Sequence, residues 1–154
     1  PGSAVHYLDI VILSALEADV NFNVNVLVGS DGIIRGAIGG HPDTAADSAL
    51  SIIVCPLLRG RIPCVVDEVT THITPGSTVD VIVTEYGIAV NPRRPELAER
   101  LRNAGLEVVD IHSLKDKALS IIGEPEPIPF GDKVVGVVMN RDGSVMDVIR
   151  NVND

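Results

Sequence analysis

The stretch Arg35-Gly36-Ala37-Ile38-Gly39-Gly40-His41-Pro42-Asp43 gathers much of the chemistry this chain can offer. Residues Gly29 to Gly40 hold five glycines in twelve positions, and Gly39-Gly40 lets the backbone approach a ligand or another segment closely. Pro42 suits the first turn of a helix expected over about Thr44 to Ala49. A glycine loop that runs into a helix start collects backbone N–H groups around an anion. Beside it, Arg35 can grip a carboxylate through two parallel hydrogen bonds. His41 can donate to a carboxylate or move a proton. Asp43 is placed to cap and orient the loop, with contact to a substrate as the alternative.

Asn21, Asn23 and Asn25 alternate with Phe22, Val24 and Val26. That period of two predicts a strand with one amide face, which lines a site or forms a solvated edge. Glu85, in Glu85-Tyr86-Gly87, is a weaker candidate as a carboxylate nucleophile. Arg93 and Arg94 stand at a helix start, where the dipole does not favour cations, and so hint at an anionic partner. Arg59 and Arg61 are expected at the surface or an interface. Cys55 and Cys64 lie in or beside apolar runs and are expected as small buried hydrophobes. With no CxxC and no Cys/His cluster at ligand spacing, no metal site is expected.

The elements that must position these residues alternate between strand and helix. Leu8 to Leu16 predicts a buried strand, Leu50 to Leu57 another, and a turn with a further short strand falls within Leu58 to Val66. Val69 to Ile73 and Val79 to Val83 follow as strands, with Ile88 to Val90 as an extension. Helices are expected over about Pro95 to Ala104, stopped by Gly105, and over about Ser113 to Ile121, with Val108 to Ile111 a strand between them. After the connector Glu124 to Pro129, Lys133 to Met139 and Val145 to Val152 predict a hairpin about an Asp142-Gly143 turn. The expected fold is α/β, an open, mainly parallel or mixed sheet flanked by helices, with a C-terminal β-hairpin at its edge.

The 154 residues suit one domain, and 45% of them are hydrophobic while only 3% are aromatic, so Val, Ile, Leu and Ala carry the core. A formal net charge of −9 opposes nucleic-acid binding, which depends on cations meeting phosphates. No apolar run is long enough to span a bilayer, and no signal-peptide pattern appears, so a soluble, cytoplasmic chain is expected. The chain opens Pro1-Gly2-Ser3 without Met, which predicts a piece of something longer.

Three ordered segments resemble the C-terminal half of family I coenzyme A transferases. They are the Leu8 to Leu16 strand with Asp9, the loop from Arg35 to Asp43, and Val79 to Gly87. Within that superfamily the chain is similar to the α-subunit family of bacterial citrate lyases. The similarity runs through Asn23 to Leu27, Gly29-Ser30-Asp31-Gly32, Gly39-Gly40-His41 with Asp43, Ala49 to Ile53 and Arg59-Gly60-Arg61-Ile62-Pro63. It continues in Ile73-Thr74-Pro75-Gly76-Ser77 and Gly87 to Arg100.

The resemblance implies a CoA-transferase-like (NagB/RpiA-type) domain. It also implies an acyl exchange in which acetyl-[acyl-carrier protein] and citrate give citryl-[acyl-carrier protein] and acetate. Gly39, Gly40 and His41 are then the catalytic candidates, the glycine amides being aimed at the oxygen that gains charge as the thioester is attacked. Arg35, Asn23, Asn25 and Asp43 are the substrate-binding candidates. No resident cofactor is implied; the substrate is a phosphopantetheine-type thioester of the carrier protein or CoA. The implied partners are the acyl-carrier and lyase subunits of a citrate lyase complex, together with self-association. The family's Ser-Glu-Asn-Gly-like nucleophile stretch does not occur here, so the nucleophile is expected outside this chain or in the substrate itself. An acetyl-CoA hydrolase, a CoA transferase for another acid, and a carrier-docking or assembly domain remain as alternatives.

Overall fold

A computed structural model describes residues 8–29 and 31–153. Pro1-Gly2-Ser3 and Ser30 therefore lie outside the described residues. The main sheet has five strands: β1 (Ile10–Ser14), β4 (Leu50–Val54), β8 (Val81–Thr84), β9 (Gly87–Val90) and β10 (Val108–Val109), side by side in that order. β1, β4 and β8 are mutually parallel, β9 runs antiparallel to β8, and β10 is parallel to β9. The sheet is mixed, as expected.

A second sheet of three short strands places β2 (Glu17–Asp19) between β3 (Val24–Asn25) and β7 (Val65–Val66). A tight hairpin joins β5 (Leu58–Arg59) to β6 (Ile62–Pro63). Among the described residues three α-helices accompany the strands: α1 (His41–Asp47), α2 (Pro95–Asn103) and α3 (Ile111–Ile122). The C-terminal hairpin of β11 (Phe130–Met139) and β12 (Val145–Val152) forms a sheet of its own rather than an edge of the main one. Its inner face, through Val138, Met146 and Ile149, instead packs on Leu27, Val28, Ile38 and Ile73.

Local chemistry accounts for most element limits. In α3, Ile111, Leu114 and Ala118 are buried at helical spacing, and the Asp110 side chain caps the start by accepting from the His112 N–H at 2.7 Å. Pro95 begins α2, and Gly105, at φ 80°, ends it. One expected strand is cut short and another does not form. Asn21 to Val26 shrinks to Val24–Asn25 because the buried Asp19 carboxylate captures the Asn21 and Asn23 amides, each at 2.9 Å, and bends the chain through Phe22 at φ 67°. Val69 to Ile73 runs irregularly, its backbone tied instead to side chains: Thr70 N–H donates to Glu17 and His72 N–H to Asp147.

The core joins the two sheets and α3. Ile53 and Ile82 from the main sheet meet Ala18, Val24 and Val65 from the small sheet, and Leu114 and Ala118 from α3. On the opposite face, β1 and β4 are largely exposed, while Val81 of β8 on that face is buried. Ile10, Ile12 and Val54 are 56%, 67% and 44% exposed. The pairing Ile10↔Leu50, Ile12↔Ile52 and Ser14↔Val54 puts these residues on one face. Parallel strands of this composition normally carry cover on both faces.

Candidate functional site

In open parallel sheets the usual place for a ligand is outside the carboxyl ends of the strands. Here those ends are Ser14, Val54 and Thr84. The crossover from β1 to β4 carries the glycine loop back over this edge, and His41 pins it there. The His41 Nε2 lies 2.9 Å from the Ser14 carbonyl oxygen and Nδ1 lies 2.7 Å from the buried Thr74 hydroxyl. A carbonyl only accepts, so Nε2 carries the hydrogen in the neutral ring, and Nδ1 accepts from the Thr74 hydroxyl. Burial pushes the His41 pKa below its ordinary 6.5, against a smaller opposing pull from the Ser14 carbonyl.

A histidine with a lowered folded-state pKa binds fewer protons folded than unfolded as pH falls from 6.5. Stability anchored by His41 is therefore complete above that value and declines as pH falls through the folded pKa. Thermal unfolding from pH 8 to pH 5 should show this decline, and His41→Asn should remove part of it. An unchanged pH profile in the variant overturns the neutral assignment.

Gly39 and Gly40 are exposed, Gly39 at φ 54°. A Cβ on Gly39 would meet nothing within 4 Å, and one on Gly40 only the Thr44 Cγ2 at 3.9 Å. Among the described residues no backbone carbonyl accepts from either amide, whereas the Gly40 carbonyl takes both the Thr44 N–H and hydroxyl at 2.9 Å. Two amides without a backbone acceptor among the described residues thus stand side by side in an exposed turn at the start of α1. The run-in is rigid: Ile38 packs in the hairpin core, and a Cβ on Gly36 would lie 2.2 Å from the Val26 carbonyl oxygen. Asp43 faces Arg141 at 3.5 Å, and Asp47 the same guanidinium at 3.3 Å, so the pair ties α1 to the hairpin loop.

Arg35 pairs with Asp31 one helical-type turn earlier, and that contact holds the Asp31 carboxyl below its usual range. Arg35 also borders a cleft of about 190 Å³ with Leu16, Gly29, Arg59 and Ile62. Arg59 was expected only at a surface or interface. The signal for it lay in Arg59-Gly60-Arg61-Ile62: Gly60 is at φ 65° and only the first turn residue is positive, the II′ pattern of a two-residue hairpin.

Asn23 and Asn25 do not reach this cleft. Asn25 is wholly buried; its amide donates to Glu17 at 2.9 Å and to the Val28 carbonyl, while its oxygen accepts from the Leu27 and Val28 N–H groups at 2.9 and 3.2 Å. That exhausts its hydrogen-bonding capacity. Asn23 donates to Asp19 at 3.0 Å and accepts from the Gly76 N–H at 2.9 Å. Asn23 and Asn25 are thus spent on the protein's own framework, while Asn21 is exposed.

Glu85 is exposed and one of its oxygens accepts from the Leu57 N–H at 2.9 Å. The anionic partner suggested by Arg93 and Arg94 is internal: Asp80 lies 2.9 Å from Arg94 and 3.9 Å from Arg93, at the opposite end of the strands. Cys55 and Cys64 are buried and free; burial pushes the Cys55 thiol up to about 12 and raises that of Cys64. Among the described residues no group of three His, Cys, Asp or Glu side chains can hold a metal ion, and no helix is long and apolar enough to cross a membrane.

Comparisons with known proteins agree with one another. The family model described as citrate lyase, alpha subunit, matches residues 1–152. The citrate lyase alpha chain of Escherichia coli K12 is 63% identical over 153 residues, covering 99% of this chain and 30% of that protein. The chain from Klebsiella pneumoniae is 56% identical with the same coverage. Among solved structures, an alpha subunit of citrate lyase from Streptococcus mutans in complex with citrate superposes with a TM-score of 0.96 at 56% identity, again over 99% of this chain and 30% of that one. The expected share of one half is corrected to 30% of the relatives' length.

Proposed function

The chain belongs to the citrate lyase alpha-subunit family, and from that premise we propose that it supplies part of an acyl-exchange site. In the exchange, with citrate as the nucleophile, a citrate carboxylate oxygen attacks the acetyl carbonyl as its carbon–sulfur bond breaks, giving a mixed anhydride and the carrier thiolate. The thiolate then attacks the citryl carbonyl as the bond to the bridging oxygen breaks, and acetate leaves with that oxygen. The supporting observation is the exposed Gly39-Gly40 pair, whose two amides lack backbone partners among the described residues and which His41 anchors to the carboxyl end of β1. Such amides stabilise an oxygen that gains negative charge without having to reorganise. His41 holds the loop against Ser14 and Thr74 and serves as the positioning residue. Arg35 is the carboxylate-gripping candidate of the same crossover, and Asp43 orients α1 through Arg141.

The chain is then one CoA-transferase-like domain of a longer cytoplasmic subunit. It requires no cofactor of its own, takes a phosphopantetheine-type thioester as substrate, and works beside acyl-carrier and lyase subunits. The thioester nucleophile lies elsewhere in that subunit or in citrate.

The test is acyl exchange by the full-length subunit with acetyl-loaded carrier protein, labelled citrate and a set of other carboxylates. Acetate release that depends on citrate supports the proposal. Exchange with other acids, or hydrolysis alone, moves the function to the wider transferase superfamily.

Self-association follows from the bare sheet face. Ile10, Ile12 and Val54 form an apolar patch continued by the half-buried Leu50 and Ile52, and the isolated chain is expected to associate through it. Light scattering at high concentration should show a mass above one chain, and Ile12→Lys should reduce it. A strictly monomeric chain overturns this expectation.

A further inference from the structure

We infer that the cleft at the end of β1 is a carboxylate subsite in which Arg59 is the uncompensated cation and Asp31 keeps Arg35 in reserve. This rests on the acyl-exchange reading for the identity of its ligand, though not for the cleft itself.

Two hydrogen bonds fix where Arg59 acts. Its Nη2 donates to the Ala15 carbonyl at 2.9 Å, and His41 Nε2 donates to the carbonyl of the preceding residue, Ser14. The histidine that pins the glycine loop and the arginine that borders the cleft are thus anchored to consecutive peptides at the end of one strand. The hairpin carrying Arg59 pairs it directly with Ile62, and both residues line the cleft with Leu16 and Gly29. Arg59 itself is exposed, so an anion can reach its guanidinium from solvent.

The two arginines differ in what already occupies them. Arg35 is paired with Asp31, whose carboxylate cancels most of its attraction for a second anion. No carboxylate forms an ion pair with Arg59 among the described residues. A guanidinium has five N–H donors, and the Ala15 carbonyl takes one, so the remaining edge can meet a carboxylate through two parallel bonds. Citrate, with several carboxylates, can engage Arg59 while another of its carboxylates meets a second partner, such as Arg35 on the same cleft. Acetate, with a single carboxylate, must choose.

The experiment is titration calorimetry of citrate and of acetate, separately, into the full-length subunit without carrier protein. Arg59→Gln is expected to weaken citrate about 10- to 100-fold, the loss of a charge-assisted hydrogen-bonded pair. Arg59→Lys should fall between, because it keeps the charge and loses the fork. Asp31→Asn acts in the opposite direction: freeing Arg35 should tighten citrate about two- to five-fold, the scale of an exposed ion pair. A gain of affinity is a result that general damage to the fold does not produce. Citrate affinity unchanged in Arg59→Gln, affinity lowered in Asp31→Asn, or no citrate binding by the unaltered subunit each overturns the inference. Citrate binding that responds to both variants, in a subunit without acyl exchange, leaves the subsite standing and removes the exchange reading instead.

Discussion

Gly40→Val in the full-length subunit is expected to lower acyl exchange about 100- to 1,000-fold while leaving the fold intact. Both halves of that expectation come from the same geometry. Gly40 has φ −94°, an ordinary value for any residue, and a Cβ there would find only Thr44 Cγ2 at 3.9 Å. The substitution therefore strains nothing within this chain. It does add two methyl groups beside the Gly39 and Gly40 amides, and this bulk is expected to keep a tetrahedral oxygen from those donors. Gly39 is the poorer choice for the test, because at φ 54° any side chain adds backbone strain of its own. Steady-state exchange and a thermal melt of the same preparation decide the matter. Normal turnover, or a collapsed melt with lost turnover, counts against the loop as a donor site.

Asn25→Ala is expected to act the other way round, on stability and not on the ligand. Truncation leaves the Leu27 and Val28 N–H groups and the Val28 carbonyl without the amide that now meets them in a wholly buried setting, while the Glu17 oxygen keeps the Thr70 N–H. Each stranded group costs on the order of 1–3 kcal/mol, so a total of about 4 kcal/mol is expected, close to the whole stability of a marginal domain. For a domain of this size that corresponds to a fall in Tm of roughly 8–16 °C. Asn25→Asp should do at least as much harm, since it sets a second carboxylate against Glu17. The check is thermal unfolding together with citrate binding measured well below the midpoint. A stable variant with weakened citrate binding would restore Asn25 to the site.

That contrast shows where the sequence was legible. Continuous apolar runs with β-branched residues located β1, β4 and β8, although the run at β1 predicted a buried strand and one face of it is exposed. Helical spacing with Pro95 and Gly105 at its ends located α2, and the alternating runs about Asp142-Gly143 located the hairpin. The Asn21 to Val26 alternation misled because its period matched a strand while Asp19, two residues upstream, offered the backbone a competing set of hydrogen bonds. Nothing in a local window reveals that a carboxylate will be buried and need four donors. Arg59 went unseen for a related reason: its neighbours in the cleft, Leu16, Gly29 and Arg35, are distant in the sequence and meet it only after β1 and the β5–β6 hairpin have docked. The glycine loop, by contrast, concentrates its chemistry within nine consecutive residues, and the structure keeps Gly39, Gly40 and His41 together.

The crossover that carries this loop also links site assembly to the order of folding. β1 and β4 pair directly, Ile10 with Leu50, so about forty residues must be looped out before the first parallel hydrogen bond closes. Arg35, the glycines and His41 all lie within that loop, and His41 finds its Ser14 acceptor only once the strands are side by side. Contacts of such separation form late and together, since the entropy of closing the loop is lost before any contact rewards it. A half-formed site is therefore not a populated species. Hydrogen exchange should show the Leu50 to Val54 amides and the His41-anchored turn opening as one unit, and any mutation that loosens the β1–β4 pairing should silence the loop without touching it.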